Sequence, residues 1–162
     1  MIYFDDGSIL IRDMIETDPA VILEEELAMG HHRTLESFSN RLKDRQTGIA
    51  TPLVAEYKGH IAGYVNVYSC EIRDLGVFAK YRNLGIGSKL MDIAEQIVAR
   101  RSNVVYLSVG LHSGYGAAQR MYARRGYVPD GSGIWYHGIP LTPYADCKND
   151  DDLVLRLVKE LR

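Results

Sequence analysis

The sequence predicts an α+β fold in which about four helices flank a mixed, mostly antiparallel sheet of about seven strands. Between residues 52 and 77 the apolar residues recur with a period of two, which is typical of strands. Residues 85–101 instead place their apolar side chains on one side of a helix, and another helix is predicted at residues 116–125. Hairpin strands crossed by two helices indicate a sheet of mixed strand direction.

The first part of the chain predicts one strand followed by two helices. Residues 8–12 form a short β-branched run that suits a first strand. Thr17 and Pro19 supply a capping residue and a proline near the start of a helix. Residues 20–43 are rich in Glu, Leu, Ala and Met, and Gly30 interrupts them, so we expect two helices there.

The middle of the chain predicts a hairpin that continues into a third strand. The turn Lys58-Gly59-His60 separates the first two alternating runs, and the third run includes Ile72. Residues 103–109 are almost continuously apolar, as expected for a strand that is covered on both faces. Gly126 stands where a left-handed residue often ends a helix. Two last strands begin at Tyr127 and at Leu153.

Length and composition favour one ordinary globular domain spanning residues 1–162. Hydrophobic residues make up 46% of the chain and charged residues 25%, which argues against disorder. Lys and Arg number 19 against 21 Asp and Glu, so the chain lacks the basic surplus of a nucleic-acid-binding domain.

The compartment is expected to be the cytoplasm. No segment has the run of about 20 apolar residues that would span a bilayer, and the first residues do not resemble a signal peptide. Cys70 and Cys147 lie far apart, form no metal-ligand cluster and are expected to be free thiols. We therefore expect no membrane partner and no metal.

The sharpest local feature is the segment at residues 77–88, Val-Phe-Ala-Lys-Tyr-Arg-Asn-Leu-Gly-Ile-Gly-Ser, between a predicted strand and a predicted helix. Glycines let the backbone approach a ligand, and the N–H groups of a first helical turn attract an anion. Arg82 would add a guanidinium, so the segment favours binding of a pyrophosphate. The alternative is that the two glycines only allow a tight connection between the strand and the helix. The spacing fits neither a dinucleotide fingerprint nor a P-loop.

These residues resemble the GNAT acyltransferase family. Residues 82–87, Arg-Asn-Leu-Gly-Ile-Gly, are similar to the family's R-x-x-G-x-G motif, and residues 71–77 are similar to its E-I-x-x-L-x-V strand. Residues 118–127 resemble its A-x-x-x-Y-x-x-x-G-[FY] helix. The chain departs from the family at Ala79, where a proline is usual, and at Tyr115, where an asparagine is frequent.

The resemblance implies a single GNAT-type domain with one splayed pair of parallel strands, and acetyl-CoA as the co-substrate. It assigns a strand end to the pantetheine arm, the glycine turn to the pyrophosphate, and one loop residue to the cofactor groove. The residues concerned are Val77, Phe78, Ala79, Arg82, Asn83, Leu84, Gly85, Ile86, Gly87, Ser88 and Tyr115.

The resemblance also implies two catalytic residues for direct attack of a primary amine on the thioester. Tyr122 would be the general acid that protonates the departing thiolate, or else a core aromatic residue. Glu71 would take the proton of the amine, commonly through water, or else form an ion pair with Arg73. Asp74 is expected on the opposite face of that strand, because side chains alternate.

Other functions stay open at this point. A non-catalytic acyl-CoA-binding sensor is the main alternative, although it would need neither proposed catalytic residue; a nucleotide-binding α/β protein fits less well.

The acceptor could be a small amine or a peptide N-terminus, and the acidic residues 24–26 border the acceptor side in the family. His31 and His32 are expected to be surface or loop residues. A homodimer is one alternative for the oligomeric state.

Overall fold

The computed structural model describes residues 1–162, and the chain forms two compact units, Met1–Arg101 and Ser102–Arg162. The first unit contains five strands and three helices: β1 (Ile2–Asp5), β2 (Ile9–Asp13), α1 (Asp18–Ala28), α2 (Leu35–Gln46), β3 (Ala50–Tyr57), β4 (His60–Tyr68), β5 (Glu71–Val77) and α3 (Ile86–Ala99). The second unit contains four strands and one helix: β6 (Val104–Gly110), α4 (Gly116–Arg124), β7 (Val128–Tyr136), β8 (Ile139–Pro140) and β9 (Leu153–Glu160).

The α+β class and the four helices are confirmed, and the strand number is corrected from about seven to nine. The additional strands are short: β1 has four residues and β8 has two. A period of two cannot be recognised over so few residues, which is why the sequence did not reveal them.

The five strands of the first unit pair antiparallel in chain order, from β1 to β5. In β4 every residue from 62 to 67 is buried, which requires cover on both faces of the sheet. Tyr64 packs with Phe38 of α2 and Ile22 of α1 in one cluster, and α3 also packs against β3, β4 and β5. Helices α1 and α2 therefore cover one face, and α3 covers the other.

Helix α1 begins differently from the expectation. Thr17 makes no side-chain capping hydrogen bond. The buried carboxylate of Asp18 instead accepts from the backbone N–H of Ile15 at 2.7 Å and from the guanidinium of Arg12 at 2.7 and 3.0 Å. Thr34 does cap α2, because its hydroxyl accepts from the N–H of Ser37 at 3.2 Å.

In the second unit the strands pair antiparallel in the order β6, β9, β7, β8. Gly126 follows α4 with a φ of 90°, the left-handed conformation expected of the residue that ends a helix. No helix of the chain has the length and apolar character needed to cross a membrane.

Candidate active site

The glycine turn between β5 and α3 has the geometry of an anion site. Asn83 and Gly85 both adopt left-handed conformations, with φ values of 61° and 81°, and α3 begins directly after them at Ile86. Gly85 is the N-cap of this helix and has no side chain to accept from the N–H groups of the first turn. The 14-residue helix therefore presents the positive end of its dipole and its first N–H groups at a glycine cap.

The end of β5 is held by three contacts of its backbone. The carbonyl of Val77 accepts from Nε of Arg82 at 3.3 Å, and the N–H of Phe78 donates to the carbonyl of Ala62 at 3.0 Å. The N–H of Ala79 donates to the sulfur of Met29, 3.3 Å away. The proline that is usual in the family at position 79 has no N–H. Ala79 does have one, and Met29 of the same chain accepts it.

Glu71 lies at the other end of β5 from Val77 and pairs with Arg73, 2.6 Å from its guanidinium. The guanidinium of Arg73 also lies 4.7 Å from the centre of the Tyr68 ring. The Glu71 side chain remains 23% exposed, so its ion pair is accessible from solvent. The ion pair considered as the alternative for Glu71 is present, and the catalytic role stays a prediction.

The expectation that Asp74 lies on the opposite face is wrong. Its carboxylate accepts from the amide of Asn66 at 3.0 Å and lies 3.1 Å from the guanidinium of Arg41 on α2. The cause is a β-bulge, since Gly76 pairs with Tyr64 and Arg73 with Asn66, so that two residues of β5 oppose one of β4. Asp74 itself has a φ of 55°, and the bulge turns its carboxylate toward α2.

The acidic residues 24–26 do not form an open anionic patch. Glu25 pairs with Lys80, which lies in the turn after β5. Glu26 is only 3% exposed and is bonded to Tyr64 and His31. Of the three, Glu24 alone is exposed, so the run offers little free negative charge to attract a cationic acceptor.

Tyr122 is buried in the second unit, with 6% of its surface exposed. Its ring contacts that of Tyr127 edge to face, with 5.7 Å between the ring centres. Burial raises the pKa of the Tyr122 phenol to about 12, so the hydroxyl keeps its proton at neutral pH. A protonated phenol can donate a proton to an atom on which negative charge develops, such as the sulfur of a departing thiolate.

Tyr115 lies in a short 3₁₀ turn before α4, and its hydroxyl donates to the carboxylate of Asp151 at 3.0 Å. The ring nitrogen Nε2 of His112 is bonded to the same carboxylate oxygen at 2.7 Å. The Tyr115 ring covers Gly110 so closely that a Cβ there would lie 2.3 Å from it. Tyr115 therefore ties its loop to the start of β9, and its contact with the cofactor stays a prediction.

An open pocket of about 520 Å³ lies elsewhere in the second unit, lined by residues 132–134 and 140–145. None of the predicted site residues lines it. The chain contains no group of three or more His, Cys, Asp or Glu side chains that could hold a metal ion.

The chain matches a known protein family and a relative by sequence. The sequence profile described as acetyltransferase (GNAT) domain matches residues 20–146. An uncharacterized N-acetyltransferase of Chlorobaculum tepidum, CT2212, is 31% identical over 101 residues, and the match spans 59% of this chain and 59% of that protein. The chain thus spans less than two thirds of that relative's length.

Several solved structures have the same fold. An acetyltransferase of Salmonella typhimurium that modifies the N-terminal serine of ribosomal protein L7/L12 superposes with a TM-score of 0.76 over 100% of both chains, at 11% identity. A putative acetyltransferase of the same organism, yncA, with its cofactor acetyl-CoA, gives 0.70 over 96% and 95% of the two chains, at 16% identity. A Vibrio cholerae spermidine N-acetyltransferase chimera gives 0.71 over 95% and 96%, at 13% identity.

Proposed function

Since the chain belongs to the GNAT acetyltransferase family, we propose that it transfers an acetyl group from acetyl-CoA to a primary amine by direct attack. The observation that supports this most strongly is the turn at Gly85, where a glycine cap and the first turn of α3 suit a pyrophosphate. Arg82 precedes that turn and would add a charged donor. Residues 1–162 are proposed to act as one domain.

Acetyl-CoA is proposed to be held by the end of β5, by the glycine turn and by Tyr115. Backbone groups of residues 77–79 are proposed to bind the pantetheine arm, and residues 82–88 to bind the pyrophosphate. Tyr115 is proposed to border the cofactor groove, in the place where the family often has asparagine. The contact of Tyr115 with Asp151 supports a fixed position for its ring.

Tyr122 is proposed as the general acid for the departing thiolate. When the C–S bond breaks, the sulfur acquires a negative charge that a proton must neutralise. The phenol is protonated before the reaction begins, as this role requires, and burial makes it a weaker acid than an exposed tyrosine. The phenolate that results would regain a proton from solvent before the next turnover.

Glu71 is proposed to take the first proton from the acceptor. An ammonium has no lone pair, so one proton has to leave before the nitrogen can attack the carbonyl carbon. Glu71 is accessible from solvent, which supports a transfer through water, and it pairs with Arg73.

The acceptor is proposed to be a small amine or a peptide N-terminus. Proteins of the same fold act on the N-terminal serine of a ribosomal protein and on spermidine, so these two classes of amine are tested first. Both cysteines are free thiols, which suits a reducing compartment, and the proposal includes a cytoplasmic location. A homodimer is compatible with the proposal, which does not depend on it.

The proposal is tested by a panel of amines with acetyl-CoA and detection of released thiol. Polyamines, amino acids, aminoglycosides and short peptides with free N-termini are compared at equal concentration. Thiol release that requires one class of amine supports the proposal. Tight binding of acetyl-CoA without release in any member of the panel would instead indicate the non-catalytic sensor.

A further inference from the structure

A buried carboxylate and a half-exposed imidazole meet at the end of α1. Oε2 of Glu26 lies 2.6 Å from Nδ1 of His31. Oε1 of the same carboxylate accepts a hydrogen bond of 2.8 Å from the Tyr64 phenol. The side chain of Glu26 is 3% exposed, whereas that of His31 is 51% exposed. One end of this pair is therefore fixed in the core and the other end reaches solvent.

The backbone brings the two residues together at the helix end. Gly30 has a φ of 81° and its N–H donates to the carbonyl of Leu27 at 3.0 Å. The N–H of His31 donates to the carbonyl of Glu26, also at 3.0 Å. These two bonds form a Schellman motif, in which the residue after the glycine folds back on the last turn of the helix. In this motif an apolar contact often joins the two residues whose backbones form the longer bond. Here those residues are Glu26 and His31, so a polar contact takes its place.

The contacts determine how the imidazole is oriented. An ionised carboxylate can only accept, so Nδ1 of His31 carries the proton and donates to Glu26. Nε2 is then the lone-pair nitrogen of the ring. A carboxylate behind an imidazole fixes its tautomer and its orientation, as in hydrolytic triads. Burial raises the pKa of Tyr64, and the Glu26 carboxylate raises it further, so the phenol stays a donor in this arrangement.

The end of α1 lies over the strand end that the proposed function assigns to acetyl-CoA. The Tyr64 ring covers Gly76, where an added Cβ would be 2.9 Å from a ring carbon. The sulfur of Met29 accepts from the N–H of Ala79 at 3.3 Å. The ion pair of Glu25 with Lys80 is a second contact between the end of α1 and the segment that follows β5. His31 follows Met29 by two positions in the chain, and the Met29 side chain contacts the backbone of Ala79.

Acetylation of an ammonium removes two protons from its nitrogen. The first leaves before the attack, and Glu71 is its proposed acceptor. The second leaves after the attack, because the nitrogen that has formed the new C–N bond carries a positive charge. The proposed function so far assigns no residue to this second proton.

We propose that Nε2 of His31 accepts the second nitrogen proton as the C–N bond forms and the C–S bond breaks. This inference rests on the proposed function. The C–S electron pair goes to the sulfur, which takes the proton of Tyr122. Glu71 and His31 then release one proton each to solvent, and Tyr122 regains one, so each turnover releases one proton. Glu26 is a positioning residue, since it acts through His31.

Several other charged and titratable groups lie near the pair. The guanidinium of Arg41 on α2 lies 5.3 Å from the centre of the Tyr64 ring, on β4, and pairs with Asp74. His32 and Arg33 follow His31 in the loop, and Glu25 of α1 pairs with Lys80. Because Glu26 is buried, its substitution would disturb the core, and the test therefore changes His31.

The test compares His31→Asn with His32→Asn, a change of the adjacent exposed histidine. Asparagine keeps an amide N–H near the position of Nδ1 for Glu26 but lacks Nε2. With an acceptor found in the panel, His31→Asn is expected to lower kcat roughly 10²-fold, the scale of a lost proton acceptor, with little change in KM for acetyl-CoA. This loss should persist as the pH rises. A free amine has already lost the first proton, but its nitrogen still has to lose the second proton after the attack.

Chemical rescue separates a proton acceptor from a structural residue. Imidazole added to His31→Ala is expected to restore part of the rate, and it should leave His32→Ala unchanged. Equal kcat values for His31→Asn and His32→Asn would overturn the inference. A loss of rate that follows the melting temperature and is not rescued by imidazole would overturn it as well. If the wild-type protein acetylates no amine, the proposed function itself fails, which is a different result from these.

Discussion

The phenol of Tyr64 donates a hydrogen bond of 2.8 Å to the carboxylate of Glu26, and both side chains are buried in the first unit. Tyr64→Phe would keep the ring in its cluster and leave one buried carboxylate oxygen without this donor. We expect the free energy of unfolding to fall by about 1 to 3 kcal/mol, the cost of a buried polar group that loses its partner. Urea unfolding followed by circular dichroism measures the change. Tyr57→Phe, at a half-buried tyrosine of β3, is the control, and equal stability of both variants would contradict the prediction.

Gly85→Leu is predicted to weaken acetyl-CoA binding at least about tenfold, or about 1.4 kcal/mol. A side chain at the cap would cover the first-turn N–H groups of α3 and impede the approach of the pyrophosphate. Gly87→Leu, in the first turn itself, should act in the same direction. Isothermal titration with acetyl-CoA gives the dissociation constants.

Gly59→Leu is the matched control for the Gly85 variant. Gly59 has a φ of 82°, against 81° for Gly85, and an added Cβ meets no atom within 4 Å at either position. Both variants therefore carry a similar backbone strain, of about 1 to 2 kcal/mol. If both variants lose a similar amount of stability and only Gly85→Leu loses affinity for acetyl-CoA, the assignment of the turn to the pyrophosphate is supported. Wild-type affinity in a folded Gly85→Leu protein would refute it.

Tyr122→Phe is predicted to lower the turnover rate by roughly 10²-fold or more while acetyl-CoA affinity barely changes. The pKa raised to about 12 keeps the phenol protonated, so the ratio of wild-type to variant rates should stay constant between about pH 7 and pH 9. Tyr127→Phe changes the neighbouring ring, 5.7 Å away, and is the control. If Tyr122→Phe melts at a much lower temperature but turns over normally per folded molecule, the residue serves the core.

Glu71→Gln is predicted to lower the rate most near neutral pH and progressively less as the pH rises. Free amine becomes abundant at high pH and no longer needs a residue to remove its first proton. The measurement is a pH–rate profile with one identified acceptor. Asp74→Asn is the comparison, because this carboxylate is already bonded to Asn66 and Arg41. Parallel profiles for wild type and Glu71→Gln would mean that solvent or another group takes the proton.

The glycine turn could be predicted from the sequence because its signals are local. Arg82, Gly85 and Gly87 follow one another at fixed spacing between an alternating run and a helical one. The same holds for the helix around Tyr122, which Gly126 ends in a left-handed conformation. Such features depend on consecutive residues, and the structure reproduces them within a residue or two at their ends.

The environments of Asp74 and His31 could not be predicted in this way. The bulge at Asp74 depends on the register between β4 and β5, and no residue type in β5 marks it, since aspartate tolerates both regular and left-handed backbone. His31 meets Glu26 only because Gly30 reverses the chain. The sequence contains the acidic residue, the glycine and the histidine of that motif, but periodicity alone does not show that the two side chains touch.

The central claim is that acetyl groups pass from acetyl-CoA to the nitrogen of an amine. The most direct measurement incubates the protein with acetyl-CoA labelled in the acetyl group and the best acceptor of the panel, and then quantifies labelled acceptor and free thiol together. Direct transfer gives equal amounts of the two products and places the label on the amine nitrogen. Thiol release without labelled acceptor, or no release with any amine, would contradict it.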